Sequence, residues 1–375
     1  MTSATVHETE VLVVGAGPSG CATALSLLNY SGLQEGAVFV VEQSDLGRVR
    51  VGEQVSPTLF KFLDYLKLSN EEFIRETCRP SFNGVSYWGS TSANTRESVF
   101  TADDTTYQLD REEFDLALIK KVSDLGGVVL PRTRVKSVIR TDDQRWSVEL
   151  HHPEQGIFHV LADYLVDATG RNASIARQLG IELEKKDNLV GVGCFLSAPE
   201  EPGEPFGHVL ESCEFGWWYC AHLPNNQMVV SLFADAGLVS SEHLGKIQPW
   251  LSYLADTSHL KRYVSGAKVC SEKPWVRNAG SQRLLGHWPD NFIAVGEAAC
   301  AFDPISSMGI GFAISSGCQA AIAIMAQQKV PTTGAIELYR SDLERIFSEY
   351  LETCRTIYSK EKRWEDSEFW LNRAS

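Results

Sequence analysis

A short apolar strand, followed at once by a glycine turn and a helix, constrains this chain more than any other feature. Residues 10–14 are rich in valine and predict a buried parallel strand. Gly15, Gly17 and Gly20 follow in the G-x-G-x-x-G spacing, and an apolar helical pattern continues from Ala22. In this context Gly15 allows a tight turn, Gly17 lets backbone N–H groups approach a pyrophosphate, and Gly20 lets the helix pack on the strand. The stretch predicts a dinucleotide site at the N-terminus of a helix.

An acidic residue at the end of the next predicted strand supports this interpretation. Residues 37–41 form that strand, and Glu42 follows it, 22 residues after Gly20. A carboxylate there accepts hydrogen bonds from ribose hydroxyls and repels a 2′-phosphate, so NADP is disfavoured. The alternative is a glycine turn that only packs a helix and binds no ligand.

Charge and composition exclude several classes of protein. The 375-residue chain has a formal net charge of −14 and no dominant basic patch, which argues against nucleic acid and anionic membranes as partners. No apolar run reaches about 18 residues, and the first ten residues are polar. We therefore expect a cytoplasmic protein without a membrane span or signal peptide. The nine cysteines form no C-x-x-C pair, so we expect free thiols and no metal site.

The hydrophobic patterns predict an α/β protein of two domains, with the chain crossing between two sheets more than once. Residues 186–284 are rich in aromatic and β-branched residues and predict a mostly antiparallel sheet, with one helix near residues 241–253. Two helices are predicted near the end of the chain, over residues 308–327 and 335–359. We predict a discontinuous Rossmann-type domain and a smaller antiparallel-sheet substrate domain. The first comprises residues 1–79, 105–185 and 285–375, and the second residues 80–104 and 186–284.

Four separated motifs together resemble a known group of flavoproteins. They are the glycine turn with Glu42, then Asp110-Arg111, then Asp-Ala-Thr-Gly at residues 167–170, and finally residues 296–309. Their order is similar to that in the FAD-dependent monooxygenases of the p-hydroxybenzoate hydroxylase fold and in the flavin-dependent halogenases on that fold. Val-Gly-Glu at residues 51–53, with Pro57, is similar to the halogenase-like branch.

The chain also departs from the halogenases. It lacks their W-x-W-x-I-P signature, for which residues 216–224 stand in a comparable strand, and residues 79–85 contain no lysine where the halogenase lysine is expected. Its length, its final residues and residues 79–89 resemble more closely the flavoproteins that mature cysteine tryptophylquinone in partner amino-acid oxidases.

The resemblance implies FAD as the cofactor, with its AMP half on Gly15, Gly17, Gly20 and Glu42. It implies further FAD contacts at Pro18, Ser19, Gln43, Arg48, Arg111, Val135, Gly296, Glu297, Asp303, Pro304, Gly309 and Ile310. Arg111 is expected at the pyrophosphate or ribityl side, since a guanidinium suits phosphate oxygens. The N-terminus of the helix after Met308 is expected to face the flavin and to stabilise negative charge there. For Arg111, the alternative is an ordinary salt bridge on the helix surface.

Candidates for the chemistry itself are fewer. A base beside an aromatic substrate would help hydroxylation, and Glu53 and His222 are the candidates. Glu53 has the alternative of pairing with Arg48 or Arg50, and His222 that of an ordinary surface histidine on a strand. Trp217 and Trp218 alternate across a predicted strand, and Trp218 is the candidate for the catalytic cavity.

Three functions are compatible with these residues. The first is an FAD-dependent monooxygenase that uses O2 and an electron donor, either NAD(P)H or a reductase, to hydroxylate a peptidyl tryptophan of a partner oxidase precursor. The second is a hydroxylase or halogenase of a small aromatic molecule. The third is a flavin-binding chaperone that holds the precursor without turnover. The missing lysine and the missing signature argue against halogenation.

Overall fold

The computed structural model describes residues 5–47, 50–69, 72–96, 106–199 and 206–374. Arg48 and parts of the predicted domain ranges lie outside the described residues. The helices are α1 (Pro18–Tyr30), α2 (Thr58–Tyr65), α3 (Glu72–Thr77), α4 (Arg111–Asp124), α5 (Ser174–Gln178), α6 (Ala236–Ser241), α7 (Ile247–Ala255), α8 (Leu260–Tyr263), α9 (Gly309–Lys329), α10 (Ala335–Tyr358) and α11 (Glu368–Ala374). The strands are β1 (Val6–Val14), β2 (Val38–Val41), β3 (Gln54–Val55), β4 (Cys78–Ser81), β5 (Gly84–Tyr87), β6 (Asn94–Arg96), β7 (Thr106–Leu109), β8 (Val128–Leu130), β9 (Arg134–Arg140), β10 (Trp146–His152), β11 (Gly156–Asp167), β12 (Glu182–Lys185), β13 (Leu189–Ser197), β14 (His208–Cys213), β15 (Gly216–His222), β16 (Gln227–Asp235), β17 (Lys268–Val269), β18 (Trp275–Asn278), β19 (Gln282–Leu285), β20 (Phe292–Ala294) and β21 (Cys300–Ala301).

The predicted glycine-turn strand lies inside a seven-stranded sheet in the order β8-β2-β1-β11-β10-β9, with β20 paired to β11. Strands β1, β2, β8, β11 and β20 run parallel to one another, while β10 is antiparallel to both of its neighbours, β11 and β9. Parallel strands place their carboxyl ends at one edge of a sheet, so Gly15, Glu42 and Ala168 follow neighbouring strands at the same edge. Helices α1 and α9 pack against each other beside this sheet.

A second sheet of eight strands has the order β17-β13-β16-β15-β14-β5-β6, with β18 paired to β13. Its pairs are antiparallel except for the parallel pair of β14 and β5. One face of this sheet contributes to the main core, and the other packs with α7 and α8 in a separate core around Trp218 and Trp250. Two three-stranded sheets, β12-β19-β21 and β3-β7-β4, complete the fold. The mixed α/β fold predicted from the sequence is confirmed; the exact division into domains stays a prediction.

Two predicted features can be compared directly with the described residues. All nine cysteines lie among these residues, and each is a free thiol. Helix α9 is the one helix in the described ranges that is long and apolar enough to cross a membrane. Much of α9 is buried against α1 and α10, as in the core helix of a folded domain.

The helix predicted over residues 241–253 is instead two helices, α6 and α7, which are separated by a turn. Gly245 lies in the interruption, and Pro249 lies in the first turn of α7. Proline lacks a backbone N–H and is tolerated in the first turn of a helix but not in its interior. The helix therefore begins at Ile247, which places Pro249 in its first turn and not in its interior.

Candidate active site

The three glycines of the turn differ in the space that a side chain would find at each position. Gly15 has a φ of +113°, and a Cβ there would overlap the carbonyl oxygen of Ala168. A Cβ at Gly20 would overlap the carbonyl oxygen of Gly15, because α1 packs directly onto the turn. A Cβ at Gly17 would meet no described atom within 4 Å. The fold itself therefore requires Gly15 and Gly20, whereas the space beside Gly17 is open.

Glu42 is tied to the glycine turn by its own hydrogen bonds. Its Oε2 accepts from the Ala16 N–H at 3.0 Å, and its Oε1 accepts from the Ser44 N–H at 2.8 Å. Gln43 beside it is exposed, and Val135 is partly buried in β9, two residues after Thr133, whose N–H donates to the Glu42 carbonyl. The ribose contact of Glu42 and the adenine-side contacts of Gln43 and Val135 stay predictions.

A cavity of about 420 Å³ lies between the glycine turn and the second sheet. The glycine-turn side of its wall contains Gly17, Pro18, Ser19, Pro304, Gly309 and Ile310. The sheet side contains Gly191, Leu210, Trp217, Tyr219, Ser231 and Phe233. Because α1 begins at Pro18 and α9 at Gly309, two helix N-termini with unpaired N–H groups border the same space.

Arg111 lines this cavity but is strongly engaged with the protein. Its Nε and Nη2 donate to the two carboxylate oxygens of Asp115 at 3.1 and 3.0 Å. Its Nη1 donates to the carbonyls of Val51 and Gly52 at 2.7 and 3.0 Å. Asp110 caps the helix that carries Arg111, accepting from the N–H groups of Glu112 and Glu113. Arg111 thus fixes the 51–52 loop to α4, which is the salt-bridge alternative; a phosphate contact stays a prediction.

The segment from Gly296 to Pro304 divides between the cavity and the core. Glu297 lines the cavity, and its Oε1 is 2.9 Å from Nη2 of Arg171. Gly296 has a φ of +57° and donates its N–H to the Ser316 hydroxyl. The structure places the Asp303 carboxylate away from the expected flavin contact. It accepts from the Tyr358 hydroxyl at 2.7 Å and from the Ile305 N–H at 2.9 Å, and it does not line the cavity.

Burial affects the pKa of Asp303 as well. Desolvation raises that pKa to about 6, although the Tyr358 hydrogen bond opposes the shift. Through its hydrogen bonds with Tyr358 and Ile305, the side chain anchors α10 and caps the short turn at residues 304–306. The resemblance implied an FAD contact at Asp303, but its carboxylate is engaged with Tyr358 and Ile305 and does not line the cavity.

Glu53 is the buried carboxylate that faces this cavity. It is 5% exposed, and its Oε1 has no hydrogen-bond partner among the described residues. Arg50, its proposed ion-pair partner, instead lies 3.2 Å from Asp115. Desolvation raises the pKa of Glu53 to about 7, against the opposing influence of the Arg111 charge. A carboxyl group with a pKa near neutrality can both accept and release a proton at physiological pH.

The other two catalytic candidates lie on the wrong face of β15. Trp218 and His222 have the same parity along the strand and point away from the cavity. Trp218 packs edge-to-face on Trp250 at 5.7 Å in the second core. His222 is half-buried against Phe206, and desolvation lowers its pKa. Both predictions are corrected, because strand alternation brings Trp217 and Tyr219 to the cavity instead.

Many cavity residues were missed from the sequence, among them the polar and aromatic side chains of Arg171, Tyr219 and Trp275. Arg171 directly follows the Asp-Ala-Thr-Gly motif, and Tyr219 shares the parity of Trp217, so both had a usable signal. Tyr219 also exchanges hydrogen bonds with the buried Gln108 amide. Trp275 gave no such signal, because its place in the wall depends on the pairing of β18 with β13.

The residues present fit the FAD that the sequence resemblance implies. The open space at Gly17 lies at a helix N-terminus, a position that suits phosphate groups. The orphaned Oε1 of Glu53 and the buried indole N–H of Trp275, which has no acceptor among the described residues, lie in the walls of the same cavity. Buried polar atoms are normally paired, so these two indicate that a polar ligand completes the site.

Comparison with known proteins identifies the family. A family model described as tryptophan halogenase matches residues 10–102 and 90–375. LodB of Marinomonas mediterranea, described as an FAD-dependent oxidoreductase, is 41% identical over 364 residues, which are 97% of this chain and 96% of LodB.

Two solved structures share the fold. The myxobacterial chondrochloren halogenase CndH superposes with a TM-score of 0.87 at 21% identity, covering 98% of this chain and 86% of that one. QhpG, a peptidyl tryptophan dihydroxylase essential for tryptophylquinone cofactor biogenesis, gives a TM-score of 0.77 at 24% identity, covering 98% and 79%. This chain belongs to the tryptophan halogenase family and is an FAD-dependent oxidoreductase.

Proposed function

We propose that this protein hydroxylates the aromatic ring of a peptidyl tryptophan in a precursor of a partner amino-acid oxidase, as a step in cysteine tryptophylquinone biogenesis. The observation that carries the proposal is Glu53, a buried carboxylate in the wall of an aromatic cavity, whose Oε1 has no hydrogen-bond partner among the described residues and whose pKa is raised by desolvation to about 7. The likeness to LodB and the fold of QhpG support the choice of substrate.

The cavity wall suits an indole ring. Trp217 stacks on Phe233 with ring centroids 4.1 Å apart, and Tyr219 lies on the same side. These surfaces can bury a flat aromatic substrate and exclude water from it. When bound, FAD supplies the activation of O2. Glu53 Oε1 then takes the proton that the ring carbon must lose after the new C–O bond forms.

The residues favour hydroxylation over halogenation. No lysine occurs among the cavity-lining residues that the structure describes, and none occurs at residues 79–85. Two of the arginines that line the cavity, Arg111 and Arg171, are held by Asp115 and Glu297. A proton acceptor at Glu53 serves a hydroxylation, in which the ring must lose a proton.

A single-turnover experiment tests the proposal. FAD-loaded protein is reduced with dithionite under nitrogen, mixed with an oxidase precursor made without its maturation partner, and then exposed to O2. Peptide mass spectrometry should find added oxygen on one tryptophan. Glu53→Gln should lower the yield of this product, while Glu349→Gln, which changes an exposed carboxylate on α10 paired with Arg345, should keep most of it.

Three results would contradict the proposal. Oxidation of the flavin with an unchanged precursor would indicate a chaperone. Halogen on the ring, in a reaction supplied with chloride or bromide, would indicate a halogenase. Oxygen transfer to free tryptophan but not to the precursor would indicate a small-molecule hydroxylase.

A further inference from the structure

Four tryptophans form a continuous line of rings from the cavity to the protein surface. Trp217 is 2% exposed and lines the cavity, and its ring centroid is 6.4 Å from that of Trp88. Trp88 is 5.2 Å from Trp370, and Trp370 is 6.1 Å from Trp364, which is partly exposed. Each step joins aromatic rings at contact distance. The line crosses from β15 through the residue after β5 to the C-terminal helix α11.

Tyr358 provides a parallel branch with a built-in proton acceptor. The Trp217 indole N–H donates to the Tyr358 hydroxyl at 3.1 Å, and this hydroxyl donates to Asp303 at 2.7 Å. The Tyr358 ring lies 5.7 Å from Trp88 and 5.8 Å from Trp370. A phenol that loses an electron becomes strongly acidic, and a carboxylate already hydrogen-bonded to it can take the proton. Both branches converge on Trp370.

The rings are held in fixed positions. The indole N–H of Trp88 donates to the carbonyl of Ile357, and that of Trp370 donates to the carbonyl of Cys213, each at 3.0 Å. Fixed rings in contact favour electron transfer, because little rearrangement accompanies a change of charge. On the opposite face of β15, Trp218 contacts Trp250 inside the second core and takes no part in this line.

We propose that Trp217, Trp88, Trp370 and Trp364, with Tyr358 as a branch, form an electron path that delivers electrons from a surface reductant to an oxidised residue in the cavity. The oxidant is FAD in its light-excited state, and the reductant is a thiol in solution. The proposal depends on FAD binding but not on the identity of the aromatic substrate.

Each absorbed photon moves one electron along the path. Trp217 gives one electron to the excited flavin and is refilled by Trp88 or Tyr358, then by Trp370 and finally by Trp364. Oxidised Trp364 is reduced by the thiol, which loses one electron and one proton. Two such events oxidise two thiols to one disulfide, and the flavin gains two electrons together with two protons from solvent.

Flash photolysis of the FAD-loaded protein, without O2 and with β-mercaptoethanol, tests the path. The wild type should form a long-lived tryptophan radical, and continuous blue light should reduce its flavin. Trp370→Phe should lose the long-lived radical, because both branches end at Trp370. Trp364→Phe interrupts the last step at a partly exposed position and serves as a second variant if Trp370→Phe folds poorly. Trp250→Phe, in the second core, is the matched control and should behave as the wild type does.

The entry point is tested separately. Trp217→Phe should abolish the long-lived radical, while Trp288→Phe, which changes a buried tryptophan of the main core outside the cavity wall, should retain it. Flavin content and thermal melting are measured for every variant. An unchanged radical lifetime in folded, FAD-loaded Trp364→Phe would overturn the proposal, as would an unchanged lifetime in folded, FAD-loaded Trp217→Phe.

Discussion

The backbone at Gly17 is extended, with a φ of −75°, and a Cβ there would meet no described atom within 4 Å. Gly15, two residues earlier, has a φ of +113° and no room for a side chain. The fold therefore requires a glycine at position 15, whereas position 17 is the one at which we expect the ligand to require it.

Alanine substitution should separate the two roles. Gly17→Ala should weaken FAD binding by about 1–3 kcal/mol, because a methyl group displaces phosphate from the backbone N–H groups, with no change in the stability of the FAD-free protein. Gly15→Ala should lower that stability. FAD titration followed by fluorescence and urea unfolding would measure the two effects. Equal loss of stability in both variants would contradict this division.

The raised pKa of Glu53 predicts that the free energy of unfolding depends on pH. Burial raises its pKa from 4.5 to about 7, so between these values the folded protein keeps a proton that the unfolded chain releases. The contribution of Glu53 to the free energy of unfolding therefore falls as pH rises through this range and levels off above it. Glu53→Gln removes that fall, which amounts to at most about 3 kcal/mol for a shift of this size.

Urea unfolding of FAD-free protein at several pH values would measure the difference between wild type and Glu53→Gln. The variant should gain relative stability from about pH 4.5 to pH 7 and no more beyond it. FAD-free protein is required, because a bound ligand would change the surroundings of the carboxylate. A difference that stays constant across this range would show that Glu53 ionises normally.

At the scale of elements, α10 shows what a pattern can and cannot predict. Its bounds, Ala335–Tyr358, agree with the helix predicted from its apolar stripe over residues 335–359. The pattern did not show that Tyr358 in its last turn bonds both Asp303 and Trp217. Those contacts join segments 55 and 141 residues apart in sequence, so a local period carries no information about them.

Tyr358→Phe should destabilise the protein by about 1–3 kcal/mol, because it leaves a buried carboxylate without one donor. The loss should be greater at pH 8 than at pH 5, since burial holds the Asp303 pKa at about 6 and the ionised form needs the donor more. Tyr339→Phe on the same helix is the control, because its hydroxyl donates to the carbonyl of Ala294. Its cost should not change with pH. Urea unfolding at both pH values measures the loss of stability in each variant. The same dependence of this loss on pH in both variants would contradict the role of Asp303.

At the scale of the whole molecule, the sequence predicted the α/β fold because its strand, turn and helix patterns are local. The sheet edge at which we expect the cofactor followed from G-x-G-x-x-G and Glu42. The composition of the far cavity wall could not be predicted, since it depends on which face of each strand meets the first sheet. Trp218 and His222 were assigned to the cavity for this reason, whereas the pairing of β15 between β14 and β16 turns Trp217 and Tyr219 toward it.

Arg171 joins the segments that meet at the cavity. Its guanidinium donates to the carbonyl of Gly280, beside the second sheet, at 2.5 Å and to that of Phe302, ahead of α9, at 2.7 Å. The same group lies 2.9 Å from Glu297. A lysine has one ammonium group and cannot span these acceptors, although it keeps the charge.

Arg171→Lys should therefore lower the free energy of unfolding by about 1–3 kcal/mol through the carbonyl oxygens that lose their donors. It should also weaken FAD binding, because the cavity wall from Gly280 to Phe302 loses its common support. Arg345→Lys is the control: Arg345 forms exposed pairs with Asp342 and Glu349 on α10, so its substitution should change stability by less than about 1 kcal/mol. Urea unfolding and FAD titration of both variants measure the outcome. If Arg171→Lys matches its control in both, the two sheets are held at the cavity by packing alone.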